Sequence, residues 1–365
     1  MILHLYFARR FALSLLMIAG VLTALVVLVD LFDQTRRFSE FDIGLARLAG
    51  LTLLNVPETL DQMLPLVVIL GTISLFLSLA RSSELVVTRA TGRSAMRALL
   101  SPVIVALIIG VFGTTTLGPI VAATSKRYAT LADGYRSGGI SALSVSADGL
   151  WLRQGDTSGQ TVIRAARSNA DASVLYDVTF VAYARDGGPA RRIEAASAAL
   201  RDGAWSLRDA KVWPLAAGLN PEATAVVHDI LKVESTLTLD RIRESLGTPT
   251  GVSIWDMPEF IAQLEQAGFS ARKHEVWLQS QLARPLFLVA MVLVAAAFTM
   301  RHTRFGGTGT AVLAAVVLGF SLYFVRSFAQ ILGENGQIPV LLSAWAAPFA
   351  ATFLGLGLLL RTEDG

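Results

Sequence analysis

The sequence predicts an α-helical membrane protein of six transmembrane helices, three before and three after an inserted all-β domain. Two observations carry that prediction. Of the 365 residues, 53% are hydrophobic and only 16% charged, with a mean hydropathy of +0.56, whereas a soluble domain carries about 25% charged residues. The apolar runs cluster in the first third and the last quarter of the chain, and the middle is mixed, so membrane parts flank a water-facing part.

A helix needs roughly 20 mostly apolar residues to cross the hydrocarbon layer. Six stretches come near that length: Phe11 to Phe32, Leu51 to Ala80, Leu99 to Ala123, Trp277 to Met300, Thr308 to Gln330 and Ile338 to Leu360. The first follows Arg9 and Arg10 but outruns a signal-peptide core, and no small-x-small cleavage site precedes Asp33, Arg36 and Arg37, which predicts a retained helix. Pro57 and Pro65 predict a kink near the start of the second. Arg284 shortens the clean part of the fourth.

Orientation follows from the short loops. Arg9 and Arg10, then Arg81, Arg89, Arg93 and Arg97, then Arg301 and Arg304, then Arg361 fall on one side of six spans, which is the cytoplasm. Arg36 and Arg37 fall on the opposite side, beside Asp33 and Glu40, and an exception of this kind asks for a purpose.

From Gly139 to Thr250 the pattern changes to alternation, as in Gly149-Leu-Trp-Leu-Arg153, Val178-Thr-Phe-Val-Ala-Tyr183 and Ala204-Trp-Ser-Leu207. Asp186-Gly187-Gly188 and Arg201-Asp202-Gly203 stand where hairpins would turn, so an antiparallel sandwich or open roll is expected, outside the cytoplasm. A polar helix over Met257 to Gln266 then leads back through Ala271-Arg-Lys-His274 to the membrane. The expected domains are residues 1–138 (three spans, with a short cytoplasmic helix near 82–92), 139–250 (β domain) and 251–365 (linker helix and three spans).

Several functions are excluded. The basic residues end apolar runs instead of forming one stripe, which argues against nucleic acid. Without cysteine there is no disulfide, thiolate or Cys-bound metal. The four histidines, at 4, 228, 274 and 302, are scattered, so no metal site is expected. No Gly-Lys dipeptide occurs, which excludes a Walker P-loop. No nucleophile elbow is present, and nothing points to an enzyme or to a cofactor of the chain's own.

The most informative segment is Arg81-Ser-Ser-Glu-Leu-Val-Val-Thr-Arg-Ala-Thr-Gly92. Ser82 or Ser83 suits a helix cap, Glu84 suits the positive end of the helix dipole, and Gly92 suits a stop. The short helix would present Glu84, Leu85, Val86 and Val87. Two readings stand side by side: a surface that docks in another protein's groove, or an interfacial helix burying its apolar side among headgroups.

This run resembles the coupling helix of the LptF/LptG permease family of the lipopolysaccharide-export ABC transporter. Leu31-Phe-Asp-Gln-Thr-Arg-Arg37, Val56-Pro-Glu58 before Leu64-Pro65, Gly149-Leu-Trp151 and Arg284-Pro-Leu286 agree with that family in the same order. The resemblance covers essentially the whole chain. Gly149-Leu-Trp151 and Gln337-Ile-Pro339 look more like the G-type than the F-type member.

The resemblance implies a periplasmic jellyroll-like β domain and a multi-pass protein of a Gram-negative inner membrane. It also implies a heterodimer with an LptF-type permease, driven by two copies of the LptB ATPase, which would bind the ATP, and accompanied by LptC. The complex would extract lipopolysaccharide from the inner membrane and pass it to a periplasmic protein bridge. Glu84 matches the glutamate that pairs with an ATPase arginine, with Leu85 and Val86 beside it. Arg36 and Arg37, with Lys126, Arg127 and Arg136, would form a cationic rim for the phosphates of lipid A. The plain alternative is that all five are snorkelling residues at headgroup level. A membrane-anchored scaffold and a mechanotransmitting ABC permease are the rival functions. Six spans plus a docking helix exceed what a scaffold needs, and mechanotransmitters commonly have four spans.

Overall fold

The computed structural model describes the chain apart from residues 1, 40–42, 83, 85–94, 138–142, 147–148, 157–158, 170–172, 185–187, 202, 216–219, 236, 239–248, 267–269, 301–307 and 364–365. The segment expected to form a coupling helix lies outside the described residues beyond Glu84, Leu85 and Val86 included, as do the turn residues Asp186, Gly187 and Asp202. Two compact units are present: Met1–Tyr128, Val252–Ile254 and Arg272–Gly365 form one, and Ala129–Gly251 with Trp255–Ala271 form the other.

The first unit is helical. Its elements are α1 (Ile2–Arg37), α2 (Leu45–Arg81) and α3 (Ala95–Phe112), which continues through a π-helical turn at Gly113–Leu117 into α4 (Gly118–Ser137). After the β region come α6 (Arg272–Thr299), α7 (Thr308–Glu334) and α8 (Val340–Glu363). Six of the described helical stretches are long and apolar enough to cross a membrane: Leu3–Arg37, Leu45–Arg81, Met96–Ala132, Arg272–Thr299, Thr308–Glu334 and Val340–Arg361. Pro57 and Pro65 lie within α2, which stays helical through both.

The fourth span, α6, is the hub. Its run Ala290–Ala297 is buried on every side, the pattern of a helix enclosed by others. In lipid, helices associate by close packing, and small residues let backbones approach. A Cβ on Gly110 would stand 2.6 Å from the Pro285 Cα, and one on Gly355 2.8 Å from the Leu293 Cβ, so α3 and α8 both seat against α6 at positions where no side chain fits. Phe7, Phe11 and Leu15 of α1 join the same core as Val68, Leu75, Phe76 and Phe287.

The second unit holds seven strands: β1 (Leu143–Ser146), β2 (Gly149–Asp156), β3 (Gly159–Ser168), β4 (Val174–Ala184), β5 (Pro189–Arg201), β6 (Ala204–Pro214) and β7 (Val226–Glu234). They form one antiparallel sheet in which each strand pairs with its neighbours in sequence. Gly203, at φ 74°, makes the tight connection of β5 to β6, where Arg201 pairs with Ala204. Alternation sets the faces: Leu152, Ile163, Phe180 and Ile193 are cross-strand partners and all buried. Trp205 is fully buried edge-on to Phe180, ring centroids 6.1 Å apart. Helix α5 (Met257–Gln266) lays Phe260, Ile261 and Leu264 on this core.

Candidate functional site

Three polar clusters interrupt the apolar helical unit. The first lies where α1 begins and α2 ends. Arg10 sits one turn after Tyr6 on α1, so both side chains reach the same spot. Arg10 Nη1 donates to both carboxylate oxygens of Glu84, at 2.7 and 2.9 Å, and its Nη2 donates to Ser78 Oγ at 2.8 Å. Tyr6 donates its hydroxyl to Glu84 Oε2 at 3.0 Å. The hydroxyl of Ser82, the C-cap residue of α2, lies 2.7 Å from Glu84 Oε1 and 3.0 Å from the Ser78 carbonyl, and its single proton can be donated to either. The Ser82 hydroxyl thus serves the Glu84 carboxylate or the end of α2.

Desolvation works against the ionised form of Glu84, but hydrogen bonds from Arg10, Ser82 and Tyr6 outweigh it and hold its carboxyl below the ordinary value. A lowered carboxyl contributes stability above its unfolded value, and that contribution is lost as pH falls through the lower folded value. The thermal stability advantage of the wild type over Glu84→Gln should therefore hold at neutral pH and vanish on acidification below the usual carboxylate range. Parallel melting curves from pH 7 to pH 3 measure it. An advantage that persists at the acid end would show that the ion pair is not its source.

The second cluster ties the other end of α1 to α2 and α4. Asn55 donates to Asp30 at 2.6 Å, Ser125 to Glu58 at 2.5 Å, and Gln34 to the Tyr128 hydroxyl at 2.9 Å. Arg37 reaches the same hydroxyl at 3.4 Å and lies 3.8 Å from Asp33. Tyr128 follows directly on Lys126 and Arg127. The exposed side chains of Arg36, Arg37, Lys126 and Arg127 thus belong to helix segments joined by hydrogen bonds. Arg136 lies on α4, but its side chain is outside the described residues.

The third cluster is buried within the spans. Arg284 is buried: its side chain is 6% exposed and donates to the Asp61 carboxylate at 2.5 Å and the Asp61 carbonyl at 2.7 Å. Gln281 accepts from Arg284 at 3.1 Å. Thr114, in the π turn, donates to the Gln281 carbonyl at 3.2 Å. Arg326 Nη2 lies 3.5 Å from the Ser280 carbonyl, and its guanidinium stacks 5.0 Å from the Phe287 ring centroid. The cluster thus holds two guanidinium groups and the Asp61 carboxylate, which Arg284 contacts. Asp61 Oδ1, Ser280 Oγ and Arg326 Nε are buried without a hydrogen-bond partner.

Sequence reasoning notes Arg284 within the fourth span and misses Asp61, an acid in an apolar run that a buried arginine requires as counter-charge. It also misses Arg10 and Tyr6, which look like ordinary residues ahead of a first span. No group of histidines, aspartates or glutamates among the described residues is placed to hold a metal.

Six spans, a β unit inserted between the third and fourth, and no nucleotide-binding loop define the class: a multi-pass permease-type membrane subunit. The family model "Lipopolysaccharide export system permease LptF/LptG" matches residues 5–361, and the chain belongs to that family, as a multi-pass protein of the inner membrane. Among its relatives is the lipopolysaccharide export system permease protein LptG of Escherichia coli strain K12, 24% identical across 99% of this chain and 98% of the relative. The LptG of Haemophilus influenzae is 23% identical across 87% of this chain and 86% of its own length. Within the family the chain is most like the G-type member.

Proposed function

We propose that this chain is the G-type permease subunit of an ABC exporter that extracts lipopolysaccharide from the inner membrane and passes it to a periplasmic bridge. The observation that carries the reading is the family match over 5–361, which spans both sets of helices and the β unit together. In this reading an LptF-type permease completes the transmembrane cavity, two LptB ATPases bind and hydrolyse ATP on the cytoplasmic side, and LptC joins them. The β unit stands in the periplasm.

Glu84, with Leu85 and Val86, docks the ATPase. Its carboxylate is presented already ionised and oriented by Arg10, Tyr6 and Ser82, so docking orders no floppy side chain. Arg36, Arg37, Lys126 and Arg127, with Arg136, make the rim that meets the phosphates of lipid A, because guanidinium groups grip phosphate oxygens in a fixed fork. The hydrogen bonds of Gln34 and Arg37 to Tyr128 support that grouping, since they fasten the end of α1 to α4.

A photo-crosslinking residue at position 37 or 127 should give adducts with lipopolysaccharide in membranes, while one at Trp345, on another helix of the unit, should give few. Equal yields from all three positions would remove the rim from the account.

A further inference from the structure

Two of the polar clusters stand at opposite ends of one helix. At the start of α1, the Arg10 guanidinium holds both carboxylate oxygens of Glu84 and the hydroxyls of Ser78 and Tyr6. Glu84 follows the end of α2 in the chain, so the acid proposed to meet the ATPase is fastened to a second span besides the one that leads into it. At the far end of α1, Gln34 and Arg37 reach the Tyr128 hydroxyl of α4. That end carries Arg36 and Arg37, and Tyr128 follows Lys126 and Arg127, the residues of the proposed rim.

Between these ends α1 is built as a rod. It is one unbroken α-helix of 36 residues without proline, so Arg10 and Arg37 stand roughly 40 Å apart along a single axis. The neighbouring spans are interrupted: α2 contains Pro57 and Pro65, and α3 contains Pro102 and gives way to the π turn. Proline and π turns are where helices bend. Within this chain α1 is also lightly held along its middle, where Leu16, Met17, Val21 and Leu25 are exposed. It approaches α2 closely at Gly71, where a Cβ would stand 3.6 Å from the Leu15 Cα. That contact lies between Arg10 and the exposed middle, as a fulcrum lies between a short arm and a long one.

From this we infer that Arg10 couples the ATPase to the rim: it passes displacement of Glu84 to α1, which tilts about the Leu15–Gly71 contact and moves Arg36 and Arg37. The grip on lipid phosphate then depends on the state of the ATPase. The inference rests on the exporter reading and adds to it a route and a residue. Arg10 suits the role because its planar guanidinium is held by three side chains at once. A moving Glu84 therefore meets a fixed group instead of a swinging one, and the start of α1 follows the end of α2.

For the test, the chain is assembled with its F-type partner, the ATPase and LptC in nanodiscs containing lipopolysaccharide, with a photo-crosslinking residue at position 37. Adduct yield is compared without nucleotide and after trapping with ATP and vanadate. The yield should change severalfold in the otherwise wild-type complex. That response should be lost in Arg10→Met, while ATPase affinity and hydrolysis change by no more than about fivefold. Gly20→Pro, which breaks the rod beyond the fulcrum, should abolish the response with Arg10 intact. Gly20→Ala, whose Cβ meets nothing within 4 Å, should keep it. A response that survives Arg10→Met or a folded Gly20→Pro overturns the inference. Loss of ATPase docking in Arg10→Met also overturns it, by making Arg10 part of the docking surface alone. If Gly20→Pro fails to insert, Arg10→Met decides by itself. Absence of adducts in every state defeats the rim, whereas adducts whose yield never responds to nucleotide defeat this inference alone.

Discussion

Replacing Asp61 with Ala is expected to destabilise the helical unit by about 3–5 kcal/mol, the usual cost of removing one partner of a buried ion pair. The size follows from the surroundings. Arg284 is enclosed among spans, donates two hydrogen bonds to Asp61 and one to Gln281, and has Arg326 close by in the same polar cluster. Without the carboxylate, two guanidinium groups would remain in an apolar layer with only carbonyls, an amide and the Phe287 ring to face. Asp61→Asn keeps the shape but removes the charge, so it should fall between wild type and Ala. Replacing both partners, Asp61→Leu with Arg284→Met, should recover much of the loss, because a well-packed apolar pair avoids the desolvation of two charges. Thermal unfolding in a mild detergent measures the series. A double variant as unstable as Asp61→Ala would mean that the cost lies in packing and not in the stranded charge.

The second large effect is expected at Glu84. Glu84→Ala should leave the chain folded, since Arg10 and Glu84 are both about one-third exposed in their side chains and pairs of that exposure contribute roughly 1 kcal/mol or less. Docking of the ATPase should suffer far more. Truncating one member of a hydrogen-bonded charge pair across an interface costs about 2–5 kcal/mol, so affinity should fall roughly thirtyfold or more. Glu84→Gln should lie between, because it keeps the reach and loses the charge. Affinity of the purified ATPase for nanodiscs holding the permease pair reads this directly. Equal affinity for wild type and Glu84→Ala would place the coupling contact elsewhere.

The six spans were legible because a membrane crossing is a property of length and composition, which one sequence carries in full. The helix Met257–Gln266 and the strands were legible for a related reason: period sets the buried face. What stayed hidden was pairing. Arg10 and Glu84 are 74 residues apart and Asp61 and Arg284 are 223 apart, and periodicity says which face is buried without saying what lies against it. Glu84 was visible as the first-turn acid of a short helix, and its pairing with an ATPase arginine only through the resemblance of its segment. The partner that holds it, Arg10, reads from sequence as one more basic residue flanking a span. Arg284 could be seen to need a counter-charge, and searching the other apolar runs for an acid would have offered Asp61.

The most direct test of the central claim reconstitutes this chain with its F-type partner, the ATPase and LptC in vesicles loaded with lipopolysaccharide, and follows the transfer of lipopolysaccharide to a soluble periplasmic acceptor. Transfer that requires ATP, stops when this chain is left out, and falls steeply with Glu84→Ala is the predicted result. Transfer that proceeds equally without this chain, or that never responds to ATP, would contradict it.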